Sequence, residues 1–196
     1  MTKNKVNTSI LSGSLVNKCL IALPDVSDFR FATSVVYIFE HGKNGATGLV
    51  INKPCSVAFS QVLSQQGIQN KNSLLLDRAK VLWGGPVEQI RGFILHGSDY
   101  TGFETTKITE KVSLTATVDV LSDLAKGEGP KDFLLALGKT HWDEGQLELE
   151  ISANLWFVMD VDDDFLFHCP AAFKWKKGLS KIGIDPLMLS LEQGSV

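Results

Sequence analysis

The sequence predicts an α+β fold built on a mixed or barrel-like sheet, and three observations carry that reading. Apolar runs rich in β-branched and aromatic residues follow one another at the spacing of hairpins. Helical periodicities fall between them irregularly, without the strand–helix alternation of a doubly wound sheet. No linker, repeat or low-complexity stretch divides the 196 residues. The chain therefore reads as a flexible tail at residues 1–8 followed by a single domain at residues 9–196.

Residues 15–23 form an apolar strand that stops at Pro24-Asp25. Residues 31–39 and 47–51 form two more, and the Asn44-Gly45 pair between them is a hairpin turn signal. Residues 57–66 read as a helix with Phe59, Val62, Leu63 and Gln66 on one face, ended by Gly67. Short strands at 80–83 and 93–95 flank Gly84-Gly85-Pro86. Residues 108–114 alternate apolar and polar, the pattern of a half-buried strand. A second helix starts near Thr117, turns Val120, Leu121 and Leu124 inward and stops at Gly127, and residues 133–137 form a short buried strand.

Residues 146–155 satisfy both periods. Leu147, Leu149, Ile151, Ala153 and Leu155 alternate as in a strand, whereas Leu147, Ile151 and Leu155 also recur at helical spacing. Asp143 with Gln146 three residues later resembles a capping box, which favours a helix running into a strand at 156–159. The last helix begins at Pro170. It should bury Trp175, Leu179 and Ile182, turn Lys174, Lys176, Lys177 and Lys181 to water, and stop at Gly183.

Composition narrows the function classes. A chain of this length buries about 70% of its extended surface, so it needs no disulfide or metal to stay folded. A net charge of -3 offers no general attraction to nucleic acid or anionic membranes. Cys19, Cys55 and Cys169 are odd in number and widely spaced, as free thiols in a reducing compartment would be. No signal-peptide core and no membrane-length apolar run is found, so the expected location is cytoplasmic.

Several chemical motifs fail on inspection. Gly138-Lys139-Thr140 resembles the end of a phosphate-binding loop, but Phe133 occupies the position of the required first glycine. Gly42, Gly45 and Gly48 read as a hairpin and not as a dinucleotide fingerprint. Asp160, Asp162 and Asp164 have calcium-loop spacing, yet Phe165 and Ala171 replace the obligatory glycine and glutamate, which leaves a solvated turn. His41, His96, His141 and His168 are scattered, and Cys55 lies in a loop after Pro54 as an ordinary thiol. No metal site and no cofactor is expected.

A more specific constellation runs through the chain. It comprises Leu20 to Pro24, Asp28-Phe29, Glu40-His41 and the run Gly45-Ala46-Thr47-Gly48-Leu49-Val50-Ile51-Asn52-Lys53-Pro54. It continues with Gly84-Gly85-Pro86-Val87, Leu95-His96, Trp142, Gly145-Gln146-Leu147-Glu148, Asn154-Leu155-Trp156 and Gly183-Ile184-Asp185. In order and spacing this resembles the bacterial AlgH/YqgE family from about residue 14 onward. The resemblance implies helices packed outside a barrel-like mixed sheet and a bacterial cytosolic protein, but no reaction. Lys53, where arginine is usual, and Lys139-Thr140-His141 depart from the pattern.

The matched residues are mostly of loop type, where turns and binding sites both form. They define a candidate ligand-binding cleft of His41, Asn52, Pro54, Gly84, Gly85, Pro86, His96, Trp142 and Gln146. The leading expectation is a non-enzymatic regulatory or binding protein that acts through an unknown protein or small-molecule partner. The alternative is an enzyme whose site lies near His41, Asn52 and His96, with a histidine as general base. Direct nucleic-acid binding is disfavoured, because one basic helix face is the only such feature.

Overall fold

A computed structural model describes residues 13–23, 26, 28–69 and 79–185. The tail at 1–8 and the strand stop at Pro24-Asp25 lie outside the described residues. Among the described residues nine strands form one mixed, barrel-like sheet. In chain order they are β1 (Lys18–Ala22), β2 (Val35–Gly42), β3 (Gly45–Val50), β4 (Val81–Trp83), β5 (Val87–Gly97), β6 (Thr106–Lys107), β7 (Val112–Thr115), β8 (Phe133–Trp142) and β9 (Trp156–Asp160). The helices are α1 (Phe59–Gln65), α2 (Asp119–Lys126), α3 (Gln146–Ser152) and α4 (Ala171–Lys181), with a 3-10 turn at Phe29–Phe31 and a π-helical turn at Asp164–His168.

The strand order is β6-β7-β5-β8-β3-β2-β1-β9, and β4 adds to β8 in parallel. The hairpin at Asn44 is present, with Gly42 opposite Gly45. Alternation along β8 explains how one strand serves two cores. Leu134 and Ala136 join the cluster inside the curl, with Ile21, Tyr37, Leu49, Leu95 and Phe165. Phe133, Leu135 and Leu137 face outward to α1 and α2. On the outer face of β1, β2 and β3, Ala22, Ile38 and Val50 pack under α3, with Trp142 and Trp156.

Four expected features differ in the structure. Phe31 belongs to the 3-10 turn, so β2 starts only at Val35. The strand expected at 108–114 is reduced to β7, whose four residues are all buried because β5 and β6 flank it and both its faces are covered. The strand expected at 133–137 runs on to Trp142, since the bend at Gly138 lets one strand pair with β5 and β4 first and β3 afterwards. The acidic turn is solvated, with Asp160, Asp162 and Asp164 all exposed, and its carboxylates pair at the surface with Lys18, Lys181 and Lys177. Lys174 does not face water. It is 1% exposed, because Gly178 one turn later lets α4 settle against Ile21 and carries Lys174 into the interior.

Candidate functional site

The residues proposed for one cleft occupy three places. The first is a suture beyond β3. Val35 N–H donates to Asn52 Oδ1 at 2.7 Å, and Asn52 Nδ2 donates to the Thr33 carbonyl at 2.9 Å. Thr33 sits at φ +57°, which is costly for a β-branched residue, so Asn52 holds a strained turn. Trp83 N–H donates to the Lys53 carbonyl, and Val50 N–H donates to the Gly84 carbonyl. Pro54 bridges to Leu82. Asn52, Pro54 and Gly84 are therefore neighbours.

Gly84-Gly85-Pro86 does more than turn. β4 and β5 flank opposite edges of β8, both pairing with Leu135, Ala136 and Leu137. The connecting residues consequently cross over β8 itself. A Cβ on Gly84 would lie 2.1 Å from the Gly138 carbonyl oxygen, and one on Gly85 would lie 2.3 Å from the Lys139 carbonyl. A Cβ on Gly138 would meet the Gly85 carbonyl oxygen at 2.4 Å. What comes close to these glycines is the backbone of β8.

The second place is the underside of α3. His41 Nδ1 accepts from Leu15 N–H at 3.1 Å, which puts the ring proton on Nε2, and Nε2 donates to Glu148 Oε1 at 2.8 Å. Trp142 and Trp156 both donate their indole N–H to Glu150 Oε2, at 2.9 and 2.7 Å, and Gln146 donates to Glu150 Oε1 at 2.8 Å. The rings of Trp142 and Trp156 meet edge to face at 5.8 Å, and Phe31 links Trp156 to Trp83. Val50 lies four residues along β3 from Ala46, the partner of His41, so Gly84 is about 13 Å along the strand from that histidine.

The third place holds His96 alone. It pairs with Phe133 at the start of β8, whereas His41 lies beside the end of that strand through Ala46 and Trp142. Fully buried, His96 donates from Nδ1 to the Gly97 carbonyl at 2.8 Å and accepts at Nε2 from Thr115 at 2.9 Å. Burial lowers its pKa, so the ring is neutral and both nitrogens are occupied.

A site that the sequence reading missed lies near His96. A cavity of about 370 Å³ opens between the start of β8, the start of β4 and the π-helical turn. Ile51, Leu82, Leu134 and Phe167 give it an apolar lining, and Lys80, Lys131 and Lys174 are its cations. Lys174 Nζ donates to the Phe165 and Leu166 carbonyls at 2.5 and 2.6 Å and lies 5.2 Å from the centre of the Phe165 ring. Among the described residues no carboxylate pairs with it. Burial, outweighing nearby charges, lowers its pKa from 10.5 to about 8. The signal available in the sequence was Gly178: Lys174 precedes it by one helical turn, on the side of α4 that packs closest.

The remaining features are quieter. Cys19, Cys55 and Cys169 are free thiols, with Cys19 and Cys169 buried. Lys177 and Lys181 are paired with aspartates and Lys174 is buried, so the basic face of α4 is largely neutralised. No helix among the described residues is long and apolar enough to cross a membrane.

Comparison with known proteins agrees with this architecture. Residues 19–187 match the family model described as AlgH-like. A UPF0301 protein of Ruegeria pomeroyi is 42% identical over 181 residues, covering 92% of this chain and 98% of the relative. Another, from Bradyrhizobium diazoefficiens, is 45% identical over 190 residues, covering 93% and 89%. The solution structure of the AlgH protein from Pseudomonas aeruginosa aligns with a TM-score of 0.76 at 32% identity, over 100% of this chain and 98% of that one. A crystal structure from Corynebacterium diphtheriae, at 20% identity and a TM-score of 0.67 over 91% of each chain, shares the fold.

Proposed function

This chain belongs to the AlgH-like family, and we propose that it is a non-enzymatic binding protein that takes a small ligand into the cavity beside Lys174. The observation that carries the reading is the cavity itself. It is concave, its lining is divided between apolar and polar groups, and several charged side chains converge on it, as a site for a small polar ligand requires. The alternative, an enzyme using His41, Asn52 and His96, receives less support. The ring nitrogens of the two histidines and both ends of the Asn52 amide are engaged in internal bonds, and the set is spread along the length of β8. The cleft residues are better explained as the framework that holds the cavity's walls in place. The neutralised face of α4 supports a role without direct nucleic-acid contact.

The test is co-purification. Protein isolated from its native cells and then denatured should release a small molecule detectable by mass spectrometry. A variant with the cavity filled, Ala171→Phe, should fold and release none. If the wild-type protein emerges empty and Ala171→Phe supports growth in a complementation assay as well as wild type does, the reading is wrong.

A further inference from the structure

On the reading that the cavity holds a small ligand, we infer that its ligands are small carbonyl compounds bearing a carboxylate, in the class of 2-oxo acids, and that Lys174 captures them reversibly as an imine.

A neutral amine has two N–H donors and one lone pair. The Phe165 and Leu166 carbonyls accept two hydrogen bonds from Lys174, which satisfies the neutral form and leaves the lone pair uncommitted. The ammonium form would bring a third N–H and a full charge to a residue that is 1% exposed and, among the described residues, has no carboxylate partner. The π-helical turn contributes by presenting two successive carbonyls to one side chain. At pH 7 an amine with a pKa near 8 is neutral in about one molecule in ten, against fewer than about one in a thousand for an exposed lysine. A desolvated lysine in a cavity is the ordinary requirement for attack on a carbonyl carbon.

The rest of the lining selects the ligand. Ile51, Leu82 and Phe167 suit a short carbon chain. Lys80 and Lys131 are exposed at the rim, and neither ammonium has a carboxylate partner among the described residues, so they attract an anion. Among the described residues Asp132 is the one carboxylate in the lining, and it lies 3.7 Å from His168, an ion pair only when that histidine is protonated. In the capture step the Lys174 nitrogen bonds to the carbonyl carbon. The carbonyl oxygen then leaves as water, carrying the two protons that the amine gave up. Hydrolysis reverses the sequence, and no oxidant or reductant is needed.

The experiment uses the full-length protein, glyoxylate as probe and cyanoborohydride to trap any imine as a carboxymethyl-lysine, located by peptide mass spectrometry. Lys174 should be labelled on the order of tenfold or more above Lys176, an exposed neighbour on the same helix, at neutral pH. The double variant Lys80→Gln with Lys131→Gln, which changes only exposed residues, should lower labelling at Lys174 and leave Lys176 unchanged. Labelling of Lys174 no greater than that of Lys176 would overturn the inference. Amide chemical shifts recorded with pyruvate separate the two possible failures. Shifts confined to the cavity without a trapped adduct would sink imine capture but keep the binding site. Neither shifts nor adduct would sink both.

Discussion

The two ends of β8 solve opposite problems. At its C-terminal end, every polar side chain singled out beneath α3 has a partner: His41 bonds to Leu15 and Glu148, and Glu150 accepts from Trp142, Trp156 and Gln146. At the N-terminal end the protein buries Lys174 with two peptide carbonyls and, among the described residues, no paired carboxylate, beside an open cavity. Buried charge without a partner opposes folding, so its retention beside a cavity calls for a reason other than stability. A fully matched end specifies the fold, whereas a mismatched end is where a ligand finds work to do. Between the two, β8 is crossed by the chain at Gly84 and Gly85, which locks the ends to each other.

The crossing offers the most damaging way to break this comparison. Gly84→Ala places a Cβ 2.1 Å from the Gly138 carbonyl oxygen, where backbone and not a flexible side chain must move. The expected loss is about 3 kcal/mol, the upper end of overpacking in a core. Gly92→Ala in β5 is the control, since its nearest atom is a Leu135 methyl at an ordinary 3.6 Å. It should cost under about 1 kcal/mol relative to wild type. Denaturant melts of both variants check the difference. Equal stabilities would mean that the crossing tolerates side chains and that β4 can shift away from β8.

The mismatched end predicts a particular pH dependence. Folded Lys174 releases its proton near pH 8, whereas in the unfolded chain it does so near 10.5. Between these values the unfolded state binds more protons, so this group makes stability rise with pH. Burial pushes the Cys19 thiol from 9.0 up to about 12, which makes stability fall with pH above about 9. Lys174 therefore outweighs Cys19 between about pH 8 and 9, where it should add roughly 1 kcal/mol, partly offset as the unfolded thiol begins to ionise. Chemical denaturation across that interval should show the rise in wild type and a flat profile in Lys174→Met. A flat wild-type profile would mean that Lys174 keeps its proton when folded, and the contrast between the two ends would weaken.

The sequence disclosed the framework better than the site. Hairpin chemistry at Asn44-Gly45, the helix stops at Gly67, Gly127 and Gly183, and the family pattern were all local and correctly legible. Those same motif residues looked like a ligand site because glycine, histidine and tryptophan carry either role. Only the pairing of β4 and β5 on opposite edges of β8 assigns the glycines to a crossing, and such non-local pairing has no sequence period. Lys174 was misread for a related reason. The helical period places it at the edge of the buried stripe, and a lysine at an edge normally reaches water by extending its chain. Here the packing of Gly178 on Ile21 brings the helix too close to the sheet for that.

The smallest expected effect tests the matched end. If His41 is part of the framework, His41→Ala removes the acceptor for Leu15 N–H and the donor to Glu148. Only Glu148 is near the surface: it keeps about a third of its side chain exposed, at 34%, so water can replace its lost bond. The Leu15 amide is less easily rehydrated, because Leu15 itself is only 3% exposed. The net cost should therefore be about 1 kcal/mol, the value of one imperfectly replaced hydrogen bond, and should lower the melting temperature by roughly 2–4 °C for a domain of this length. Ligand release in the co-purification assay should be unchanged wherever the variant is folded, because the cavity lies toward the other end of β8. Thermal denaturation and that assay together decide the point. A variant as stable as wild type that has lost its ligand would return His41 to the binding site and erase the division of labour between the two ends.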